Sequence, residues 1–216
     1  MIKIQNVVTP SPEQWGVIIR GMRNPMNSWA KSDSYVSYVD DACANAEAPH
    51  CFIAGEEDLL LMERLAMAGS DHRKYMRMIS VYMEITAPLY WWKEFDTYKV
   101  GTVANSTSTM HKIHAKEFSV DDFSHDKMTA DGFENLLRDI EHLNRDREAY
   151  LETKDMDYWY DMIQSLPTSY NQKRSVLFNY EVLRNMYHAR RNHKLKEWVE
   201  FCERIEDLPY SQLITG

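Results

Sequence analysis

"APLYWWKEFDTYK", residues 87–99, sets three consecutive aromatic rings, Tyr90, Trp91 and Trp92, beside a cluster of charges. The chain as a whole is polar, with a mean hydropathy of -0.55. Because large rings usually serve burial, we predict that these three residues belong to the core or to a subunit interface. A wall on which a ligand ring stacks is the alternative that this segment leaves open.

A β-strand is predicted on the N-terminal side of this segment. RMISVYMEIT, residues 77–86, is rich in β-forming residues and alternates in polarity, and Ala87-Pro88 ends it. Late in the chain KRSVLFN, residues 173–179, has the same character, and IKIQNVV near the N-terminus alternates as well. We therefore expect strands near 79–86 and 173–178 to lie in one sheet.

Helical periodicity accounts for most of the remaining sequence. Ser11 as N-cap and Pro12 in the first turn indicate a helix start, and Gly69 indicates a helix end. Apolar residues recur at spacings of three and four. The predicted helices are 12–23, 57–68, 133–150, one ending before Pro167, and 180–190 continuing to about Arg204 with a break near Asn192. The fold class is therefore α/β or α+β, with helices around a small sheet.

The length and composition indicate one domain. The chain has 216 residues, of which 44% are hydrophobic, enough to bury a sizeable core. Seven Gly and seven Pro are too few for linkers, and no repeat is evident. We predict a single domain over residues 1–216.

The charge and cysteine content exclude several classes of protein. A net charge of -8 argues against nucleic acid as a partner, because a phosphate backbone selects for basic surfaces. No apolar run approaches the ~18 residues of a membrane span, and the N-terminus lacks a signal-peptide pattern. Cys43, Cys51 and Cys202 are sparse and odd in number. We expect a cytoplasmic protein with reduced thiols and no membrane partner.

One basic segment stands out in this acidic chain. RNMYHARRNHKLK, residues 184–196, carries five Lys or Arg residues and no acid. It is a candidate binding site for phosphate or carboxylate groups. The composition is equally consistent with a basic helix face that is exposed to solvent and whose charge is balanced by acidic residues elsewhere in the chain.

Standard catalytic motifs are absent. The sequence contains no phosphate-binding Gly loop, no dinucleotide Gly fingerprint, no His-Glu-x-x-His and no Cys-x-x-Cys. His188 and His193 are five residues apart on a predicted helix, so their side chains diverge by about 140° at 100° per residue. Two histidines so arranged fit one metal ion poorly, and we predict no metal site.

The order of elements carries more information than any single motif. Asp71-His72 precedes a strand that ends in Ala87-Pro88, an aromatic and charged segment follows, and then comes a polar run, Asn105 to Thr109. Leu-Pro, a strand, an Asn and an Arg-bearing helix stand late in the chain. Over about residues 60–206 this order resembles the flavin-dependent thymidylate synthase family.

The segment after Ala-Pro departs from that family at its signature. The family's Arg-His-Arg triplet falls on Thr97-Tyr98-Lys99, and its Ser falls on Thr107, with Ser108 next to it. The family's Gln falls on Glu94, and a family Arg near Asn179 is replaced by Glu181. Lys99 therefore retains one cation of the triplet.

The resemblance implies two groups of site residues. No catalytic residue is assigned, because the family uses no covalent protein nucleophile. The implied cofactor-binding residues are His72, Tyr98, Lys99, Asn179 and Asn185, and the implied substrate-binding residues are Glu94, Thr107, Ser108 and Arg190. Each has a structural alternative: Asn179 after a strand is most simply an N-cap, and Arg190 could pair with Glu94.

The resemblance also implies a reaction. Flavin-dependent thymidylate synthases reductively methylate dUMP to dTMP with methylenetetrahydrofolate and reduced FAD, with NADP among the nucleotides involved, as homotetramers whose sites are shared between subunits. The expected partners are therefore nucleotide and folate small molecules and further copies of the chain. Two alternatives stay open: a diverged member that keeps the fold and binds flavin or nucleotide without this activity, and a non-enzymatic interaction protein.

Overall fold

The computed structural model describes residues 2–38, 50–98 and 100–216. Its strands are β1 (Lys3–Val8), β2 (Tyr35–Tyr38), β3 (His50–Ile53), β4 (Ser80–Pro88), β5 (Val103–Ser106) and β6 (Asn171–Asn179). Its helices are α1 (Pro12–Arg23), α2 (Glu56–Met67), α3 (Leu89–Phe95), α4 (Ala130–Thr153), α5 (Met156–Gln164), α6 (Tyr180–Arg190), α7 (Lys196–Glu206) and α8 (Gln212–Thr215). This mixture of helices and small sheets confirms the predicted fold class.

The two strands that the sequence predicts together pair along their whole length. The main sheet has the order β1-β4-β6-β5, and each neighbouring pair is antiparallel. β4 and β6 pair from Ser80 opposite Asn179 to Pro88 opposite Asn171. β2 and β3 form a separate two-stranded sheet. The prediction that 79–86 and 173–178 share one sheet is confirmed.

One face of the main sheet is covered by helices and forms the first core. Val81, Met83, Ile85 and Ala87 alternate along β4 and are at most 1% exposed. Side chains from six helices cover them, namely α1, α2, α3, α6, α7 and α8. The alternation explains why this segment forms a strand with one buried face.

The aromatic residues of the opening segment belong to this first core. Trp91 and Trp92 are 0% and 1% exposed, and the Trp91 ring lies 4.6 Å from that of Trp198. Trp92 Nε1 donates to the Gln172 carbonyl at 2.9 Å. Tyr90, one residue before, is only partly buried. The core prediction is therefore confirmed for both tryptophans, whose rings are closed to any ligand.

The other face of the sheet carries an exposed apolar row. Val8 lies opposite Tyr82, Tyr82 opposite Leu177, and Leu177 opposite Val103, so the four side chains cross the sheet on one face. Val8, Tyr82 and Val103 are 56%, 53% and 66% exposed. An apolar row of this kind is typical of a surface that a further chain covers.

A second core lies around α4 and α5. It contains Leu136, Ile140 and Leu143 of α4 and Met162 of α5, with Phe123 among the residues that complete it. The helix predicted over 133–150 therefore exists, but its apolar stripe contributes to this second core. The expectation that it packs around the sheet was wrong, because residues 113–123 supply an apolar surface of their own.

The predicted helix ends agree with the structure. Ser11 caps α1 in a reciprocal capping box with Gln14, and Gly69 has a positive φ of 107° just after α2. A break separates α6 from α7 around Asn192. Within the described ranges, no helix combines the length and the apolar character that crossing a bilayer requires.

Candidate functional site

The basic segment 184–196 does not form one anion-binding patch. Arg184 is buried and donates to the carbonyls of Leu213 and Ile214 at 3.2 Å. Lys194, in the break between α6 and α7, lines a cleft that also contains Tyr90. Helical rotation of 100° per residue turns Arg184 and Arg190 to different sides of α6. The segment was correctly identified as basic, but the structure divides its cations among different tasks.

Arg190 lies at the centre of a compact polar cluster that we call the Arg190 cluster. Its Nε donates to Tyr98 Oη at 2.9 Å, and its Nη1 donates to Glu94 Oε1 at 3.3 Å. The guanidinium also lies 5.0 Å from the centre of the Trp198 ring. Three residues predicted for the site, Glu94, Tyr98 and Arg190, are thus in direct contact.

Glu94 is held from several sides in this cluster. Trp198 Nε1 donates to its Oε2 at 2.7 Å, and His193 Nε2 lies 3.7 Å from the same oxygen. The predicted alternative, in which Arg190 pairs with Glu94, is observed. An incoming anion would therefore compete with a carboxylate for the Arg190 guanidinium. Sequence spacing did not reveal Trp198 and His193 as members of this cluster.

Asn179 and Asn185 line a second feature, the asparagine cleft, at the N-terminal half of α6. The cleft has a volume of about 260 Å³ and is also lined by Arg77, Gly101 and Glu181. Asn179 caps α6 by accepting from Val182 N at 2.9 Å, as the structural alternative predicts. Asn185 is exposed, and its amide makes no hydrogen bond to any residue that the structure describes.

Charge in the asparagine cleft is balanced rather than positive. Glu181 is buried and accepts from Arg77, and it also lies 3.6 Å from Arg73 Nε. The Glu181 hydrogen bond and charge raise the pKa of Arg77. Glu181 therefore takes up cations that an anionic ligand would otherwise contact.

Gly101 explains how the chain approaches this cleft so closely. Its φ is +90°, and a Cβ at this position would lie 2.7 Å from Asn179 Nδ2. Asn179 Nδ2 itself donates to the Gly101 carbonyl at 3.3 Å. Gly101 is thus held against the start of α6, where it forms part of the wall of the asparagine cleft.

The other predicted site residues belong neither to the Arg190 cluster nor to the asparagine cleft, or they are not among the described residues. Lys99 falls outside the described residues. His72 is exposed just before the 3₁₀ turn Arg73–Met78. Thr107 and Ser108 are exposed beyond β5, where Thr107 N donates to the Lys173 carbonyl at 2.9 Å. Within one chain the predicted residues therefore form separate groups, and their convergence across an interface stays a prediction.

A larger cleft, the Tyr90 cleft, has a volume of about 670 Å³ and contains none of the predicted residues of the Arg190 cluster or the asparagine cleft. Tyr90 donates to Glu197 in its wall, and burial raises the pKa of Tyr90, with Glu197 adding to the effect. Ser169, which also lines it, is 8% exposed, and its Oγ has no hydrogen-bond partner among the described residues. Tyr90 and the basic segment, through Lys194 and Lys196, connect this cleft to the residues that the sequence singled out.

The fit of FAD to these features can be tested on size and donors. The asparagine cleft is smaller than the roughly 300–1,000 Å³ of pockets that enclose a drug-sized ligand. Its Asn185 amide suits the uncharged hydrogen-bonding edges of a flavin or nucleobase. Its Arg77 is already paired with Glu181. One chain therefore offers a fit for part of FAD, without a free cation for the pyrophosphate among the described residues of this cleft.

The comparisons with known proteins bear on the fold. No family model and no curated protein sequence matches the chain. Two solved structures of flavin-dependent thymidylate synthase ThyX from Helicobacter pylori, both with FAD and dUMP, are similar over 99% of this chain at 15% sequence identity. The TM-scores are 0.65 and 0.64, and the similarity covers 96% and 95% of those chains. The chain therefore has the fold of the flavin-dependent thymidylate synthases.

Proposed function

We propose that this protein binds FAD and dUMP and catalyses flavin-dependent thymidylate synthesis with methylenetetrahydrofolate. The observation that carries the proposal is the near-complete overlap with ThyX structures that hold FAD and dUMP, at 99% of this chain. When bound, reduced FAD would supply the reducing equivalents of the reaction. NADP, among the nucleotides of the family's chemistry, belongs to the same proposal.

The chain's own residues would bind and orient the ligands. Arg190 would contact the nucleotide, since its planar guanidinium donates in pairs to a phosphate or a pyrimidine edge. Asn185 has an amide with no partner among the described residues and would contact the flavin. His72, Tyr98, Lys99 and Asn179 belong to the proposed cofactor site, and Glu94, Thr107 and Ser108 to the proposed substrate site.

A homotetramer with shared sites is part of the proposal. The asparagine cleft is too small for a dinucleotide, so the rest of the ligand surface would come from another copy. The exposed row Val8, Tyr82, Leu177 and Val103 provides an apolar surface that another copy could cover. Chain assembly would also bring the separate groups of predicted residues together.

A second candidate function is flavin or nucleotide binding without methyl transfer. The observation that favours it is the engagement of Arg190 by Glu94 and Tyr98, at 3.3 and 2.9 Å. The replacement of Arg-His-Arg by Thr97-Tyr98-Lys99 removes further positive charge. Both changes weaken the electrostatic stabilisation on which a reaction without a protein nucleophile depends.

Two measurements separate these functions. Flavin absorbance of the purified protein, or after addition of FAD, reports cofactor binding. Reoxidation of the reduced flavin that requires both dUMP and methylenetetrahydrofolate, with dTMP as product, supports thymidylate synthesis. Flavin binding without that reaction supports the second candidate, and the absence of flavin and dUMP binding rejects both in favour of an interaction protein.

Arg190 provides the sharpest test of the nucleotide site. Arg190→Ala should weaken dUMP binding by roughly 10- to 100-fold in calorimetric titration, in line with about 1.4 kcal/mol per tenfold. Arg204→Ala is the matched control, because Arg204 is paired with the exposed Asp207 and should leave the affinity unchanged. Equal affinities of wild type and Arg190→Ala would reject Arg190 as a ligand of the nucleotide.

A further inference from the structure

We propose that His142, Asp146 and Asp161 form a binding site for a divalent transition-metal ion between α4 and α5. The three side chains come from two helices and each directs one ligand atom to a common point, with all three atoms within 4.8 Å of one another. The site lies in the second core region, apart from the Arg190 cluster and the asparagine cleft. It differs from the sequence-based expectation of no metal site, which rested on the spacing of His188 and His193 and on the absence of metal-binding motifs.

The distances between the ligand atoms match metal coordination. His142 Nε2 lies 3.3 Å from Asp146 Oδ2 and 3.2 Å from Asp161 Oδ2. Ligands at about 2.1 Å from one metal ion are separated by about 3.0 Å in octahedral and about 3.4 Å in tetrahedral coordination. The observed separations fall between these values, so an ion could enter without large movement of the side chains.

Hydrogen bonds from His142 do not account for the same arrangement. Neither contact of His142 with the two carboxylates has hydrogen-bond geometry, although both are short. Asp146 is 8% exposed, and its Oδ2 is buried with no hydrogen-bond partner among the described residues. Leaving a buried carboxylate oxygen without a donor is costly, and a cation at this point would satisfy it.

The surroundings of the three residues favour a cation as well. Asp146 and Asp161 line an acidic cleft of about 470 Å³ together with Asp157, and no Lys or Arg of the described residues lines it. The basic groups whose charges act on Asp146 are His142 of the triad and, more weakly, Arg145. The cleft therefore holds three carboxylates without a lining cation, and the space beside the triad could accommodate water or a further ligand on the ion.

The donor set restricts which ion would bind. One imidazole nitrogen and two carboxylate oxygens suit Zn²⁺, Co²⁺, Mn²⁺ or Fe²⁺ better than Mg²⁺ or Ca²⁺, which prefer oxygen ligands alone. His142 and Asp146 are one helical turn apart on α4, so they face the same side, and Asp161 approaches from α5. An ion bound here would link the two helices.

Titration with Co²⁺ tests this proposal on the intact chain. Visible d–d absorbance reports coordination, and a Cys43→Ser, Cys51→Ser background removes thiols that would compete for the ion. The background protein, freed of metal with a chelator, should bind one Co²⁺ per chain. His142→Asn and Asp161→Asn should each weaken binding by more than about tenfold.

Asp157→Asn is the matched control, because it removes the same charge from the same cleft without touching the triad. It should change the Co²⁺ affinity by less than about threefold. Absence of d–d absorbance in the background protein would overturn the proposal. A loss for Asp157→Asn equal to that for Asp161→Asn would overturn it too, since the cleft would then attract cations without a defined site. Unchanged thermal unfolding of the metal-free variants ensures that either result concerns binding.

Discussion

Asp58 and Asp146 are two buried aspartates in different parts of the molecule, and their surroundings differ in one respect. Asp58, at the start of α2, is 0% exposed, and both of its carboxylate oxygens accept hydrogen bonds. Asp146, in α4, is 8% exposed, and its Oδ2 accepts no hydrogen bond from the part of the chain that the structure describes. Protein donors satisfy both oxygens of the Asp58 carboxylate, whereas Oδ2 of Asp146 lacks a donor among the described residues.

The partners of Asp58 come from two parts of the chain, the end of α1 and the segment before β2. Arg23 Nε donates to Oδ1, while Ser32 Oγ and Ser34 Oγ donate to Oδ2 at 2.6 and 2.7 Å. The backbone N–H groups of Asp33 and Ser34 complete the set at 3.2 and 3.1 Å. This network holds the segment before β2 against α1 and α2, which is a structural task.

The difference distinguishes a structural carboxylate from a ligand-binding one. Burial alone raises the pKa of Asp58, but the hydrogen bonds from Ser32, Ser34 and Arg23 hold it below its usual range. Burial raises the pKa of Asp146, and the neighbouring Asp161 adds to the effect. Burial by itself therefore does not identify a functional acid; the number of donors around it does.

The largest effect is expected from removing the cation of the satisfied network. Arg23→Ala leaves Asp58 charged, buried and short of a partner, so the free energy of unfolding should fall by about 3–5 kcal/mol. Urea unfolding measures it. Arg138→Ala is the control, because Arg138 is paired with Glu134 at an exposed position and should change stability by less than about 0.5 kcal/mol. A loss below about 1 kcal/mol for Arg23→Ala would contradict the assigned role of the network.

A smaller effect is expected in the acid dependence of stability. Because the folded-state pKa of Asp58 lies below its unfolded value, near 3.8, its contribution is complete above that value and is lost as the pH falls through the folded pKa. Unfolding of Asp58→Asn should therefore depend less steeply on pH below about 4 than unfolding of wild type. Asp139→Asn, which removes an exposed carboxylate, should retain the wild-type slope. Parallel curves for wild type and Asp58→Asn would dispute the lowered pKa.

The smallest effect is expected at the unsatisfied aspartate. Asp146→Asn in metal-free protein should change the free energy of unfolding by less than about 1 kcal/mol at neutral pH, in the stabilising direction. A raised folded-state pKa means that the ionised carboxylate is disfavoured in the fold, so stability falls as the pH rises from the unfolded pKa through the folded one. Thermal unfolding at two pH values measures this, and a marked destabilisation would show that Asp146 is as well satisfied as Asp58.

The fold could be predicted from the sequence because its signals are local. Alternation along residues 79–86 and 173–179 indicated strands with one buried face, and the capping residues Ser11 and Asn179 indicated helix starts. Trp91 and Trp92 were predicted to be core residues from their size alone. The partner of the helix over 133–150 was not predictable, since periodicity reveals an apolar stripe but not what covers it.

The candidate site was predictable only in part. The resemblance to the thymidylate synthase family suggested Glu94, Tyr98 and Arg190, which the structure brings into contact. The sequence offered the pairing of Arg190 with Glu94 only as an alternative to ligand binding. The same donor and acceptor groups can bind either a ligand or another side chain, so the sequence could not decide between the two. The cations of the basic segment 184–196 have different partners. Arg184 donates to carbonyls of α8 and Arg190 donates to the Glu94 carboxylate of α3, and these partners are distant in the sequence.

The sequence by itself determined three of the six described strands, β1, β4 and β6, together with most helix ends, the acidic charge and the order of elements that this fold shares with the thymidylate synthases. Tertiary structure alone decided which charges meet. Asp58 accepts hydrogen bonds from residues that precede it by between 24 and 35 positions in the chain. His142 of α4 contacts Asp161 of α5. Secondary structure follows from neighbours in the chain, whereas a carboxylate's state depends on atoms within a few ångströms in space, wherever they lie in the sequence.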